Sequence, residues 1–546
     1  MNSQMAWWIV DQLVQQGVQI FCIAPGSRST PLALAAAHHK KAKTVIHFDE
    51  RGLGFYALGA SQGGQIPSAL IVTSGTAIGN LLPAIMEAHH SATPLIVLTA
   101  DRPPEQLLNG ANQSTDQLKI FQNFVRGQIV FPCAAVEVSE SYVRNTIAHA
   151  VAVSKLASGP VHINWHIREP LFIPPFPSLV EGKPIPHHLP KKEPSSSMAL
   201  SGRGVILIGR LSSPRHLAPI LKLAHTLRWP IWGDLLSQAR LFSTPEQIRY
   251  FDSILDIGAP PADTVLHFGE RMTSKKSLNY LAKRHIHVSP FGYLQDPEHR
   301  VTERVIADPD LFCAKAELSP APEEWLEIWK SLDQNIGEIL DELFRESSVC
   351  TEAHLAHVWG KYIAPDWALF LGNSMAIREA DHFLFPLQGR GFYANRGLSG
   401  IDGNIAAAAA LSNFGPTALW IGDQAALHDL NSFSLLSETP HPLTLVVSNN
   451  FGGGIFSHLG LSGNTPHFER LFANNHSWQF EQIARMFNLP YYKVDTLLDF
   501  FSAWERSQKR SSVIEFVTSR TDNYAFHEIM NRTLAEKIFD FPLCIK

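Results

Sequence analysis

An α/β protein built from three doubly wound parallel-sheet units is predicted by three observations. Short apolar runs alternate with segments of helical periodicity in the first and last thirds of the chain, the pattern of strands joined by helical crossovers. Apolar run after apolar run ends in a polar or glycine-rich cluster, which places those clusters on the sheet edge where open α/β sheets bind ligands. A chain of 546 residues also exceeds what a single hydrophobic core serves, so two to four domains are expected.

The first unit is expected over 1–180. Helices read over 6–15, 29–37, 53–61 and 77–87, and strands over 19–23, 44–48, 69–72, 95–99 and 159–164. These strands end at Pro25-Gly26-Ser27-Arg28, Asp49-Glu50-Arg51-Gly52, Thr73-Ser74-Gly75-Thr76 and Asp101-Arg102-Pro103-Pro104. A proline-rich stretch over 170–194 ends in Ser195-Ser196-Ser197 and reads as extended chain over the surface, with the linker proper at 181–200. The central unit is expected over 201–335, with strands at 204–209, 264–268 and 285–288. Gly202-Arg203-Gly204 lacks the full dinucleotide-binding spacing, so this unit reads as Rossmann-like without a nucleotide. A helix over 323–344 leads into the third unit, 345–546, with strands at 367–371, 417–421, 443–447 and 512–517 and an alanine-rich helix over 403–411.

Chemistry concentrates at two strand ends of the third unit. Trp420-Ile421-Gly422-Asp423 closes one apolar run, and Ser448-Asn449-Asn450-Phe451-Gly452-Gly453 closes the next. Leu427, Leu430 and Phe433 recur at helical spacing between them, so the pair reads as one β-α-β unit with a right-handed crossover. An Asp carboxylate, an Asn amide oxygen and a backbone carbonyl of a glycine-rich turn are the oxygen donors that suit Mg²⁺ shared with phosphates. The same residues also read as a strand-end turn with a helix cap.

The net charge of −5, with both signs mixed, gives no footprint for nucleic acid or a membrane surface. Five cysteines without ligand spacing point to reduced thiols and a cytoplasmic setting. Residues 1–16 lack the basic and apolar regions of a signal peptide, and no uncharged run approaches a membrane span.

The Gly422-Asp423 and Asn449-Asn450 pair resembles the signature of thiamine diphosphate enzymes. That resemblance implies Mg²⁺ (or Mn²⁺) held by Asp423, Asn450 and Gly452 against the cofactor's diphosphate. It also implies a first-unit glutamate at the cofactor's pyrimidine ring, for which Glu50 stands at the matching strand end; read alone, Glu50 is a helix N-terminal carboxylate favoured by the helix dipole. Longer strings narrow the match: Pro25-Gly26-Ser27-Arg28-Ser29-Thr30-Pro31, His47-Phe48-Asp49-Glu50-Arg51-Gly52-Leu53, Ala100-Asp101-Arg102-Pro103-Pro104-Glu105, Gly110-Ala111-Asn112-Gln113, Thr273-Ser274-Lys275, Gly372-Asn373-Ser374 and Asn395-Arg396-Gly397-Leu398-Ser399-Gly400-Ile401-Asp402-Gly403. Together they resemble the 2-succinyl-5-enolpyruvyl-6-hydroxy-3-cyclohexene-1-carboxylate (SEPHCHC) synthase family of menaquinone biosynthesis.

The resemblance implies three thiamine diphosphate-type domains: pyrimidine-binding, central and diphosphate-binding. It implies decarboxylation of 2-oxoglutarate and 1,4-addition of the succinyl fragment to isochorismate. Both substrates are dicarboxylates, which planar guanidinium forks suit. By resemblance Arg28, Arg102, Lys275, Arg378 and Arg396 supply the cations, Ser27, Gln113 and Ser374 add neutral hydrogen bonds, and Ile401, Ile455 and Phe456 face the cofactor. Each arginine also reads as a surface ion pair, and Ile401, Ile455 and Phe456 as ordinary core. The sequence departs from the family at Lys276, where Arg is frequent, at Gln424 and at Phe451. A homodimer or homotetramer with the cofactor between subunits is implied. Another thiamine diphosphate decarboxylase or carboligase, or a non-catalytic protein of that fold, are the alternatives.

Overall fold

The computed structural model describes residues 1–174, 180–385, 389–460 and 465–539. The predicted linker stretch therefore falls partly outside the described residues, at 175–179, as does the end of the third unit, with Cys544. Three parallel sheets organise the chain. The first contains β1 (Ile20–Ile23), β2 (Lys43–Ile46), β3 (Ser68–Val72), β4 (Leu95–Asp101), β5 (Gly127–Phe131) and β6 (Pro160–His166), in the order β2-β1-β3-β4-β6-β5. The central region adds β7 (Ala199–Leu200), β8 (Gly204–Ile208), β9 (Ile231–Gly233), β10 (Ala262–Phe268), β11 (Ala282–Ser289), β12 (Glu303–Ile306) and β13 (Glu317–Leu318). Its main sheet runs β12-β11-β10-β8-β9, while β7 and β13 form a separate ribbon. The last sheet contains β14 (Ala368–Leu371), β15 (Gly391–Tyr393), β16 (Thr417–Gly422), β17 (Leu443–Asn449), β18 (Tyr491–Val494) and β19 (Ser512–Val517), in the order β15-β14-β16-β17-β19-β18.

The first and third sheets thus repeat one topology strand for strand. Their inner strands β1, β3, β4, β6, β14 and β17 are buried throughout, and all but β6, which carries His162, Asn164 and His166, read as largely apolar runs, as parallel strands covered on both faces do. The edge strands β2 and β5 are largely exposed or half-buried, with only Phe131 of β5 fully covered. Seven strands were not anticipated from the sequence: β5, β7, β9, β12, β13, β15 and β18. They are short, and apart from β9 each has residues that are not fully buried.

Two predicted helices prove to be broken. The segment expected as one helix over 77–87 is two, Thr76–Asn80 and Leu82–His90, with Pro83 in the first turn of the second. The crossover between β16 and β17 divides into Asp423–His428, a short turn at Leu430–Ser432 and Phe433–Leu436. The cause is Asp429. Its buried Oδ2 accepts from the backbone N–H of Ile405 and Ala406, 2.8 and 3.3 Å away, at the start of the helix Asn404–Leu411. The residue between the two pieces is therefore committed to capping a different helix.

The first and third sheets meet through two helices. Glu50–Gly64 lies on Asn404–Leu411, whose alanines 406–410 are all buried, and residues of both units form one hydrophobic cluster. Small residues permit the approach: a Cβ on Gly59 would stand 2.2 Å from the Ala407 carbonyl oxygen, and one on Gly403, at φ +67°, would meet the Phe55 ring at 1.8 Å. Polar pairs frame the contact, with Arg51 Nη2 donating to the His428 carbonyl at 2.8 Å and Asn431 Nδ2 donating to Asp49 at 3.0 Å. The stretch after the first sheet follows the surface, pinned by Gly182 N–H to Asp11 (2.7 Å) and Lys192 N–H to Asp308 (3.1 Å). Among the described residues no helix is long and apolar enough to cross a membrane.

The helix contact is directly testable. Gly59→Val should cost at least about 1–3 kcal/mol, because the obstructing atom is backbone and cannot yield cheaply. Gly79→Ala, where the nearest atom to a new Cβ is 3.9 Å away, should be neutral or stabilise by up to about 1 kcal/mol. Denaturant unfolding of the two variants checks the contrast.

Candidate active site

The strand ends of β16 and β17 build an oxygen-rich cradle. Asp423 opens the helix after β16 and is buried; its Oδ1 accepts from the Gln424 N–H at 2.6 Å and its Oδ2 from the Gly452 N–H at 2.9 Å. Burial pushes the carboxyl up to about 6, against the pull of the N–H groups of Gly452, Gln424 and Phe451. Asn449 is the structural member of the asparagine pair. Its Nδ2 donates to Glu515 (2.7 Å) and to the Trp478 carbonyl (3.0 Å), and its Oδ1 accepts from the Phe451 N–H. That arrangement turns the chain at Phe451, at φ +60°, and leaves Asn450 facing the other way.

Asn450 Nδ2 donates to Glu352 at 2.8 Å, while its buried Oδ1 has no partner among the described residues. Buried carbonyl oxygens are seldom left so. Gly452 completes the cradle at φ +155°, and a Cβ there would meet the Ala473 oxygen at 2.7 Å. A carboxylate held above its ordinary range by burial beside an unpartnered amide oxygen is a donor set that fits a hard divalent cation. His476, whose pKa burial and then nearby Arg520 lower, stands with Nε2 3.4 Å from Asp423 Oδ2. Gln424, one of the departures from the family pattern, serves the structure here. Its amide donates to the carbonyls of Ala473 and Asn474 and ties that turn to the cradle.

The turn continues into Gly454–Leu459, which carries Ile455 and Phe456, both half-buried. Ile401 is 39% exposed, which removes the reading of it as ordinary core. It lies on the 395–403 loop with Arg396. The Arg396 guanidinium donates to Asn373 Oδ1 at 2.9 Å, and burial lowers it to about 10, with Asp234 opposing. Arg378 donates to the Ser374 carbonyl, and burial lowers its pKa. Ser374 itself turns at φ +72°. A cavity of about 310 Å³ is lined by Arg396 and Gly397 from the third unit, His90 from the first, and Arg210, Arg271 and Thr273 from the central one. Lys275 is exposed at the start of a short helix capped by Ser274, and Lys276 is engaged by Asp256.

The remaining predicted residues gather on the first unit. Arg28 is buried, donates to the Ile167 carbonyl (3.0 Å) and to Glu169 (3.2 Å), and has its pKa lowered by burial and then by neighbouring Arg102. Arg102 is buried too, and the Nε atoms of both arginines lack partners among the described residues. Gln113 donates to the Ser74 carbonyl at 3.0 Å, Ser27 is exposed, and Glu50 accepts from Asn80 at 3.1 Å. Among the described residues, no hydrogen bond or ion pair joins this set to Asp423, Asn450, Arg378 or Arg396 within one chain.

Comparisons with known proteins place this geometry. Residues 4–120 match the thiamine pyrophosphate enzyme N-terminal binding domain, and 185–371 match the middle domain of thiamine pyrophosphate enzymes. Named SEPHCHC synthases are similar over nearly the whole chain. The protein from Rubrobacter xylanophilus is 36% identical over 96% of this chain and 97% of its own. Those from Salinibacter ruber (35%, 97% and 96%) and Aeromonas salmonicida (36%, 93% and 93%) follow. The chain belongs to the SEPHCHC synthase family. It is a transferase-type, carbon–carbon bond-forming enzyme with thiamine diphosphate as cofactor. Its fold is that of thiamine diphosphate enzymes: benzoylformate decarboxylase from Polynucleobacter necessarius superposes with a TM-score of 0.71 at 15% identity, covering 95% of this chain and 99% of that one.

Several residues that shape this SEPHCHC-synthase-family site escaped the sequence reading. Glu352 holds the amide of Asn450, Asn373 holds Arg396, and Glu87 reaches the 395–403 loop from the first unit. Asn373 lies in one of the family-like strings but carries no role there. Glu352 and Glu87 sit inside helices, where nothing local separates them from ordinary surface acids.

The cradle predicts the effect of Gly452→Ala. The methyl group would press on the Ala473 oxygen, so the rise in melting temperature given by thiamine diphosphate with a divalent cation should shrink or vanish. The far-UV circular dichroism of the protein without ligand should stay unchanged. A full rise would contradict the geometry.

Proposed function

We propose that this chain catalyses the joining of 2-oxoglutarate to isochorismate with release of CO₂, using thiamine diphosphate and Mg²⁺ (or Mn²⁺). The observation that carries the reading is the meeting of two donor types on one sheet edge of the third unit. Asp423 and the unpartnered Asn450 oxygen suit a cation-bound diphosphate, and Arg378 and Arg396 lie on adjoining strand-end segments where a dicarboxylate needs them. The bound cofactor supplies an electron sink for the loss of CO₂ from a 2-oxo acid.

The protein's own residues divide the remaining work. Asp423, Asn450 and the Gly452 carbonyl hold the cation. Ile401, Ile455 and Phe456 shield the reacting centre from water, and Glu50 serves the pyrimidine half. Arg28, Arg102, Lys275, Arg378 and Arg396, with Ser27, Gln113 and Ser374, orient the carboxylates of the two substrates. In this reading 1–180 is the pyrimidine-binding domain, 201–335 the central domain and 345–546 the diphosphate-binding domain, with 181–200 between them.

The first-unit and third-unit sets have separate partners within one chain, so a homodimer, or a homotetramer made of such dimers, brings Glu50 of one copy to Asp423 of another. Exposed Phe48, 61% accessible beside Glu50, and exposed Ile46 give that face apolar surface to bury. A cytoplasmic location accords with the reduced thiols among the described cysteines.

The test is CO₂ release from 2-oxoglutarate with thiamine diphosphate and Mg²⁺, with and without isochorismate. Release accelerated by isochorismate, with a coupled product identified by mass, is expected; release from pyruvate in preference would replace the substrate assignment. Glu50→Gln should keep cofactor-induced thermal stabilisation and lose at least about 100-fold in turnover. Asp423→Ala should lose the stabilisation itself.

A further inference from the structure

We infer that Glu87 is a positioning residue that sets the Arg396 loop from the opposite unit of the chain. The inference rests on the role proposed above for Arg396. Glu87 lies on the helix Leu82–His90 of the first unit and is only 3% exposed. Both oxygens of its carboxylate are spent on the third unit. Oε1 accepts from the Gly397 N–H at 2.6 Å and Oε2 from the Leu398 N–H at 2.7 Å. These are the two residues that follow Arg396, and charge-assisted pairs of this kind are short and directional.

The seat is fitted closely. A Cβ on Gly397 would stand 2.8 Å from the Glu87 carbonyl oxygen and 2.8 Å from the Ser91 nitrogen, so the loop backbone rests directly on the end of this helix. The other side of the loop is fixed within its own unit. Asn373 Nδ2 donates to the carbonyls of Asn395 (2.8 Å) and Gly400 (2.7 Å), and its Oδ1 receives the Arg396 guanidinium. Asn373 thus holds the head of Arg396 while Glu87 holds the backbone beside it.

The central unit closes the joint. Arg210 pairs with Glu270 at 2.7 Å and donates to the Ser91 carbonyl, and Arg271 reaches the Arg396 carbonyl at 3.4 Å. All three units therefore converge on Gly397 and its neighbours, on the wall of the cavity that Arg396 lines. A buried carboxylate is costly unless its hydrogen bonds are complete. Here they are completed by the loop.

The test uses the full-length enzyme with thiamine diphosphate and Mg²⁺. In Glu87→Gln one acceptor becomes an NH₂ group facing an N–H, so the loop loses one of its two bonds. Amide hydrogen exchange over 395–403 should quicken at least tenfold, with exchange over 423–428 unchanged. The kcat/KM for carboligation should fall at least tenfold, chiefly through KM, and by less than twofold further when Arg396→Ala is already present. Losses that multiply in the double variant, or unchanged exchange over 395–403, would overturn the inference. A wild-type enzyme inactive on 2-oxoglutarate but with quickened exchange in Glu87→Gln would instead remove the substrate assignment and leave the loop's anchor in place. Should Glu87→Gln not fold, Gly397→Ala displaces the same loop from the same seat and gives the same readouts.

Discussion

The close approach of the helix Glu50–Gly64 to Asn404–Leu411 is the constraint on which the rest depends. Two sheets of identical strand order are locked together through glycine against alanine backbone, with no room for a side chain at Gly59 or Gly403. That contact sets where the strand ends of the first unit lie relative to those of the third. It starts at Glu50 on one helix and just past Ile401 on the other, and the two helices run in the same direction, Phe55 against Gly403 and Gly59 against Ala407, so both of these residues sit at one end of the joint. Asp429, by capping Asn404–Leu411 at the expense of its own crossover, fixes the joint to the segment that begins at Asp423.

From that joint outward, several of the proposed site side chains are held by neighbours outside the proposed set. Asn449 anchors to Glu515 so that Asn450 can present its oxygen, Glu352 takes the other end of the Asn450 amide, and Gln424 ties the 473–474 turn. Such supporting residues decide the geometry of a site as much as its ligands do. The Arg396 loop follows the same logic across three units, with Asn373 and Glu87 on its two sides.

Much of this was legible in the sequence, for physical reasons. Buried parallel strands such as β4 and β17 are continuous apolar runs, and their ends carry the polar clusters, so fold class and the Asp423–Asn450 cradle could be read together. Edge strands such as β5 and β18 escaped because their residues are only partly covered and their pattern is weak. The broken crossover after Asp423 escaped because Asp429 acts on residues 24 and 23 positions away, which no local window records. Glu87 and Glu352 escaped for the same reason: their partners are 310 and 98 residues distant, and a glutamate within a helix ordinarily faces water. Arg28 and Arg396 were legible only through their strings; the structure adds that Arg28 is buried and Arg396 partly so, unlike the exposed Lys275.

The central claim is that one chain carries two separate sets of functional side chains, completed by a second copy. Mixing tests it most directly: Glu50→Gln and Asp423→Ala subunits, each inactive alone, are unfolded, combined in equal amounts and refolded together. If the site is shared between copies, half of the random dimers hold one intact site, and activity should return to about a quarter of the wild-type value. If Glu50 and Asp423 serve the same site within one chain, every site in the mixture carries a lesion and no activity returns.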